Sequence, residues 1–180
     1  MSIFERFNEE TREFFQNIMD KEPLNYLEAS GLYGVIAQGR YNVSVLETLY
    51  NHAQNAELKH LIKQAQDSLT KSLINRSEDL LQESGGKIPS VTFPRRTLHK
   101  APLDIHPDAR LTDAEVAIAI GSIAKASQLA MLAALHQSYQ VEVALMYRTL
   151  LNDGLDWDYR LLQLMLKNGW LPKLHKVVNL

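Results

Sequence analysis

The stretch from Leu111 to Tyr139 constrains this chain more than any other. Between Glu115 and Glu142 its only charged residue is Lys125. The remainder is aliphatic or small: Val116, Ile118, Ile120, Ile123, Leu129, Met131, Leu132 and Leu135, with Ala, Gly and Ser between them. A helix that is apolar on nearly every side is expected to be buried on nearly every side. About 28 residues at 1.5 Å each give a rod of roughly 40 Å, and the expectation is a central helix around which others pack. A membrane span is the competing assignment, and three features oppose it. Lys125 at the midpoint would cost roughly 2.5–3.5 kcal/mol. Ser122, Ser127 and Gln128 add polar load, and the flanks carry acids (Asp113, Glu115, Glu142) rather than a basic cluster. No membrane span is expected.

The 180 residues suffice for one domain, 1–180, with a substantial core. A net charge of −2 without a strong basic patch argues against nucleic acid as the main partner. The chain has no cysteine, which removes disulfides, thiolate catalysis and Cys-ligated zinc and fits a reducing compartment. The opening MSIFERFNEE lacks a basic segment followed by an apolar run, so no signal peptide is expected and a cytoplasmic location is the default.

Residues 4–19 carry Phe4, Phe7, Phe14, Phe15, Ile18 and Met19 among charges. This pattern predicts a short amphipathic helix docked on the main body or on a second subunit. Helical spacing resumes from Pro23 to about Ala53, with Gly31, Gly34 and Gly39 inside it. Each glycine costs roughly 1 kcal/mol against Ala in a helix. Close approach of the small-residue helix at 112–139 is the expected compensation, with a bend as the alternative. Asn55 is a plausible cap for a second helix with a seam through Leu58, Ile62, Ala65, Leu69, Leu73 and Leu80, stopping at Ser84-Gly85-Gly86. Pro89, Pro94, Pro102 and Pro107 forbid a continuous helix over 87–110. A loop this long reads as a crossover along the bundle, which makes the third helix parallel to the second. Thr112-Asp113-Ala114-Glu115 is a capping box for the third helix. The fourth runs from about Val141 to Lys167, with Asn152-Asp153-Gly154 as a site of kinking or splitting; Gly169 ends it, and an apolar tail follows over 171–180. The fold expected is all-α: a four-helix bundle with one long crossover between helices two and three, ferritin-like in topology, plus a short N-terminal helix.

That topology raises the question of a di-iron site, which needs two inward Glu and two inward Glu-x-x-His pairs. Glu57-Leu58-Lys59-His60 supplies one such spacing. Its phase is wrong, with Glu57 about 100° and His60 about 160° from the apolar seam. An end site from Glu47, Glu57, His60 and Glu115 is the remaining metal candidate. No nucleophile, zinc, P-loop or Rossmann motif is present, and no cofactor is expected. Glu28 lies 18 residues before Leu46, and Arg76 lies 18 after Leu58. Five turns of 3.6 residues separate each pair, so both charges are predicted to point inward and to form a structural ion pair, because a lone buried charge is costly.

Three motifs carry a family resemblance. Asn-His-Ala-Gln-Asn-Ala-Glu-Leu-Lys-His (Asn51 to His60), Pro-Leu-x-x-x-Glu (Pro23 to Glu28) and Asn-Gly-Trp-Leu-Pro (Asn168 to Pro172) resemble an uncharacterised ferritin-like family of spore-forming bacteria, domain-of-unknown-function family 3231. Its members are provisionally labelled spore coat proteins, similar to the coat F group. The resemblance spans most of residues 20–172 and implies a role in the spore or its coat, with no reaction and no catalytic residues. The expectation is a non-enzymatic structural or assembly protein, cytoplasmic or spore-associated. Its expected partners are copies of itself (a dimer first) and other spore coat proteins. The alternative is a metal- or small-ligand-binding bundle descended from an oxidase.

Overall fold

The structure, a computed structural model, describes residues 23–171. The expectations placed on residues 4–19 and on the tail from Pro172 lie outside them. The chain folds as α1 (Tyr26–His52), α2 (Ala56–Gln64), a π-helical turn (Ala65–Thr70), α3 (Lys71–Glu83), a short 3-10 turn (Pro107–Ala109), α4 (Asp113–His136) and α5 (Val141–Asn168). Gln64, Ala65, Thr70 and Lys71 all have right-handed helical dihedrals, so α2, the π turn and α3 form one rod. This rod is the second helix of a four-helix, all-α bundle, and no strand occurs among the described residues.

Local chemistry sets the helix ends. Asn25 and Thr112 each form a reciprocal capping box, with Glu28 and Glu115 respectively, and Asn55 caps α2 through Leu58 N–H. Gly85 and Gly169 follow the ends of α3 and α5 at φ 74° and 66°, left-handed positions that favour glycine. The α4 start lies beside the α2 start: the Asp113 carboxylate accepts from Gln54 N–H at 2.7 Å and from Asn55 N–H at 3.1 Å. The third helix is therefore parallel to the second, and residues 87–110 are the crossover that makes it so.

The core is built around Trp157, which is wholly buried and donates its indole N–H to Leu61 O at 2.9 Å. Leu46, Leu58, Ile62, Val116, Ile120 and Leu161 surround it. A second cluster of Leu32, Met131, Val143, Tyr147 and Leu150 fills the other end. The α5 helix is continuous through Gly154. A Cβ there would stand 3.2 Å from Gln128 Nε2, so the glycine serves the approach of α4 rather than a break.

Three expectations need correction. First, α4 is not central. Only Val116, Ala117, Ile120 and Met131 are buried, while Ile118, Leu129 and Leu132 are exposed. It is a corner helix with α1 and α5 beside it, and no element among the described residues covers its outer side. By length and composition the stretch Pro107–His136 is apolar enough to cross a membrane; here it packs along the bundle. Second, Gly31 lies against α4 as expected, with an added Cβ 3.8 Å from Ala134 Cβ, but the close approach at Gly39 involves α3, where a Cβ would stand 2.7 Å from Ile74 Cγ1. Gly34 faces open space instead. Third, the seam of the second helix shifts by one residue. Upstream it follows Leu58, Ile62 and Ala65, but downstream the buried positions are Ile74, Ser77 and Leu81, not Leu73 and Leu80. The π turn, with its i→i+5 bonding, accommodates the extra residue.

Candidate functional site

Polar side chains at positions 40, 44, 47 and 51 of α1 form a stripe at i, i+4, i+7 and i+11, one face of the helix. The crossover lies along it. Arg40 donates to the carbonyls of Pro89 and Val91 and pairs with Glu78 at 2.7 Å. Ser44 Oγ donates to Pro94 O at 3.1 Å and accepts from Arg96 Nη1 at 2.6 Å. Asn51 donates to Thr97 O at 2.8 Å and accepts from His99 N–H at 2.9 Å.

Glu47 is the centre of the stripe and is 1% exposed. A buried carboxylate needs donors, and this one has four: Arg95 Nε and Nη2 at 2.7 Å, Arg96 N–H at 2.7 Å and Gln66 Nε2 at 3.1 Å. Charge-assisted bonds of this kind contribute about 1.5–3 kcal/mol each. Gln66 stands on the π turn, so one carboxylate joins α1, the second helix and the crossover. Lys59 completes the attachment, donating to His99 O at 2.7 Å and Lys100 O at 3.2 Å, with its ammonium 4.9 Å from the Tyr50 ring centre. Burial pushes the Lys59 pKa below the usual lysine value, and nearby Asp113 opposes the shift.

The four metal candidates do not converge. Glu47 is engaged as described. Glu57 is exposed and pairs with Lys167 at 2.8 Å; His60 is exposed. Glu115 belongs to the α4 capping box, where the Thr112 N–H and hydroxyl hold its carboxyl below the usual range. No group of three or more Asp, Glu or His side chains among the described residues could hold a metal ion.

The predicted Glu28–Arg76 pair is also corrected. Glu28 is buried as expected, but its carboxylate accepts backbone N–H bonds from Tyr139 and Gln140 at 2.7 Å and from Asn25 at 3.1 Å. It ties the α1 start to the α4–α5 turn. Arg76 is exposed, and Ser77 occupies the fully buried position that five α-turns from Leu58 assigned to Arg76. The π turn between them is the cause. Sequence reading missed Glu28 as a bridge and Lys59 as an anchor. The spacing of Arg40, Ser44, Glu47 and Asn51 was the signal available for the stripe.

Between α1 and α4 the bundle stays open as a cleft of about 440 Å³. Its floor includes Leu46, Ala65, Ile120, Met131 and Trp157, and its mouth carries Gly34, Gln38 and Ser127. Among the described residues, no Asp, Glu, His, Lys or Arg lines it. Such a space suits an uncharged, largely apolar molecule and offers nothing for a hard cation. Two titratable groups lie nearby, Tyr147 buried and Asp158 half-buried. Burial pushes the Tyr147 phenol well above its usual range. Burial likewise raises the Asp158 carboxyl, opposed by the hydrogen bond from Gln128 Nε2 at 2.9 Å and by the Lys125 charge.

The architecture defines a class: a helical bundle whose long crossover is held by polar anchors on its first helix. Within that class, the chain belongs to the family described as "Protein of unknown function (DUF3231)", which matches residues 12–176. It is 27% identical over 158 residues to the uncharacterized protein YvdQ of Bacillus subtilis (strain 168), covering 86% of this chain and 90% of that protein. It also resembles the crystal structure of a "putative spore coat protein" from Bacillus halodurans C-125. The TM-score is 0.78 at 26% identity, over 87% of this chain and 98% of that one.

Proposed function

We propose that this chain is a non-enzymatic structural or assembly protein related to spore coat proteins, acting as a homo-oligomer with a dimer as its simplest unit. Other coat proteins are further partners, and its place is the cytoplasm or the spore. The long crossover between the second and third helices supports reading the bundle as ferritin-like, and among the described residues no metal-ligand set converges. One observation carries the reading. Each buried charged side chain among the described residues (Glu28, Glu47 and Lys59) binds backbone or side-chain groups of another chain segment. A ligating or proton-transferring carboxylate needs lone pairs directed at its metal or substrate, and those of Glu28 and Glu47 meet N–H donors instead. Elemental analysis of protein purified without chelator tests this. The expected result is no stoichiometric iron, manganese or zinc; one metal per chain overturns it.

The cleft supports a second reading, a bundle that binds a small uncharged apolar ligand. Titration with N-phenyl-1-naphthylamine, following tryptophan emission, distinguishes the two. Saturable one-to-one binding favours the ligand reading, and no saturable binding favours the structural one.

A further inference from the structure

Two stripes of exposed apolar side chains run along α4 and α5. On α4, Ile118, Leu129 and Leu132 share a heptad track with Ser122 and Lys125. On α5, Leu155, Tyr159, Leu162 and Leu166 stand at i, i+4, i+7 and i+11. Helices seated against other helices show this spacing; here it has no partner among the described residues.

The stripes open on the same side. On α5, Gly154, Asp158 and Leu161 meet α4 at Gln128 and Gly121, whereas Trp157, Arg160 and Lys167 meet α2 at Leu61, Gln64 and Glu57. At 100° per residue, the α5 stripe lies about a quarter turn beyond the α4 contact, away from α2. On α4, Ser127 meets Asn42 and Ala134 lies against Gly31 on the α1 side. Its stripe lies about a quarter turn beyond the α5 contact, away from α1. Both tracks therefore flank the outer side of one α4/α5 seam.

We propose that this seam is where a second copy of the chain docks, α4 and α5 packing on α4 and α5 of the partner. The proposal rests on the homo-oligomer reading above and assigns it a surface. The seven side chains are 39–68% exposed. At about 140 Å² for a fully exposed aliphatic side chain, they present on the order of 500 Å². That is near the upper end of the about 300–600 Å² of the largest patch on a typical monomer, a size that is often functional, and it would form the apolar centre of a standard interface of about 800 Å² per partner. Lys125 is the single charge on either stripe, and its field falls on Asp158 of the adjacent helix.

Sedimentation equilibrium of the full chain tests this, comparing wild type, the double variant Leu129→Ser/Leu162→Ser and the control Tyr33→Ser on α1. The expected result is a dimer for wild type and control, and at least tenfold weaker association for the double variant with unchanged helicity. Because the chain has no cysteine, Tyr159→Cys alone gives an independent readout: oxidation is expected to yield a disulfide-linked dimer. A double variant that stays dimeric, with Tyr159→Cys uncrosslinked, overturns the surface while the homo-oligomer reading stands. A wild type that is monomeric at high concentration overturns both. A monomer that floats with phosphatidylethanolamine/phosphatidylglycerol vesicles, and loses this in the double variant, assigns the seam to lipid and overturns the proposal.

Discussion

The crossover flank and the α4/α5 flank of the bundle are made of opposite materials. On the first, Arg40, Ser44, Glu47, Asn51 and Lys59 bind the extended segment through directional hydrogen bonds. On the second, Leu129, Leu155, Tyr159, Leu162 and Leu166 face outward. A prolined segment has unpaired backbone carbonyls and N–H groups that need specific partners, so polar side chains suit it. Apolar side chains at heptad spacing make no directional demand and fit any equally apolar helical surface. One flank closes the fold on itself, and the other is suited to association.

The difference is broken most severely at Glu47. Glu47→Ala leaves the Gln66 amide and the Arg96 N–H without their acceptor and should destabilise by about 3–5 kcal/mol. Trypsin should then cut after Arg95 or Arg96 under conditions that leave the wild type intact. An uncut crossover with unchanged denaturant midpoint would mean the stripe is not what holds it.

Glu28 and Arg76 sharpen the contrast between engaged and idle charges. Glu28→Ala should cost about 2–4 kcal/mol, because three backbone donors lose their acceptor. Arg76→Ala should stay within about 0.5 kcal/mol, as exposed substitutions do. Comparable losses in both variants, measured by chemical denaturation, would restore the ion pair that the structure replaces.

Two glycines of α1 distinguish its filled side from its open side. Gly39→Ala meets Ile74 and should destabilise by about 1–3 kcal/mol through overpacking. Gly34→Ala enters open space and should stabilise by about 0.5–1 kcal/mol. Thermal melts of the pair check the sign of each.

The smallest expected effect is at Asp158, behind the α4/α5 seam. Its carboxyl pKa is raised by burial, so the folded state favours its protonated form. Its contribution to stability is full below the unfolded value of 3.8 and lost as pH rises through the folded value. Asp158→Asn should therefore melt roughly 1 °C higher than wild type near pH 7, with the difference vanishing below pH 3.8. An equal or reversed difference at pH 7 would show that the carboxylate is not strained there.

These residues also show what the sequence made legible. Caps at Asn55 and Thr112 and stops at Gly85 and Gly169 were readable because donor and acceptor lie within a few residues of each other. The crossover was readable because proline forbids a helix. The Glu28–Arg76 pairing failed because 3.6-residue arithmetic cannot cross the π turn at Ala65–Thr70. The burial of α4 failed differently. Apolar composition states that surface favours burial, but not which surface does the covering. Glu47 looked like a metal candidate because an inward carboxylate on a bundle helix has the same sequence signature whether its partner is a metal or an arginine.

Hydroxyl-radical footprinting of the full chain at low and high concentration tests the contrast between the two flanks most directly. Leu129, Leu155, Tyr159, Leu162 and Leu166 should lose reactivity as concentration rises. Tyr41 and Val91, exposed on the crossover side, should keep theirs. Protection at Tyr41 and Val91 instead, or Tyr159 remaining fully reactive at the highest concentration, would contradict the account.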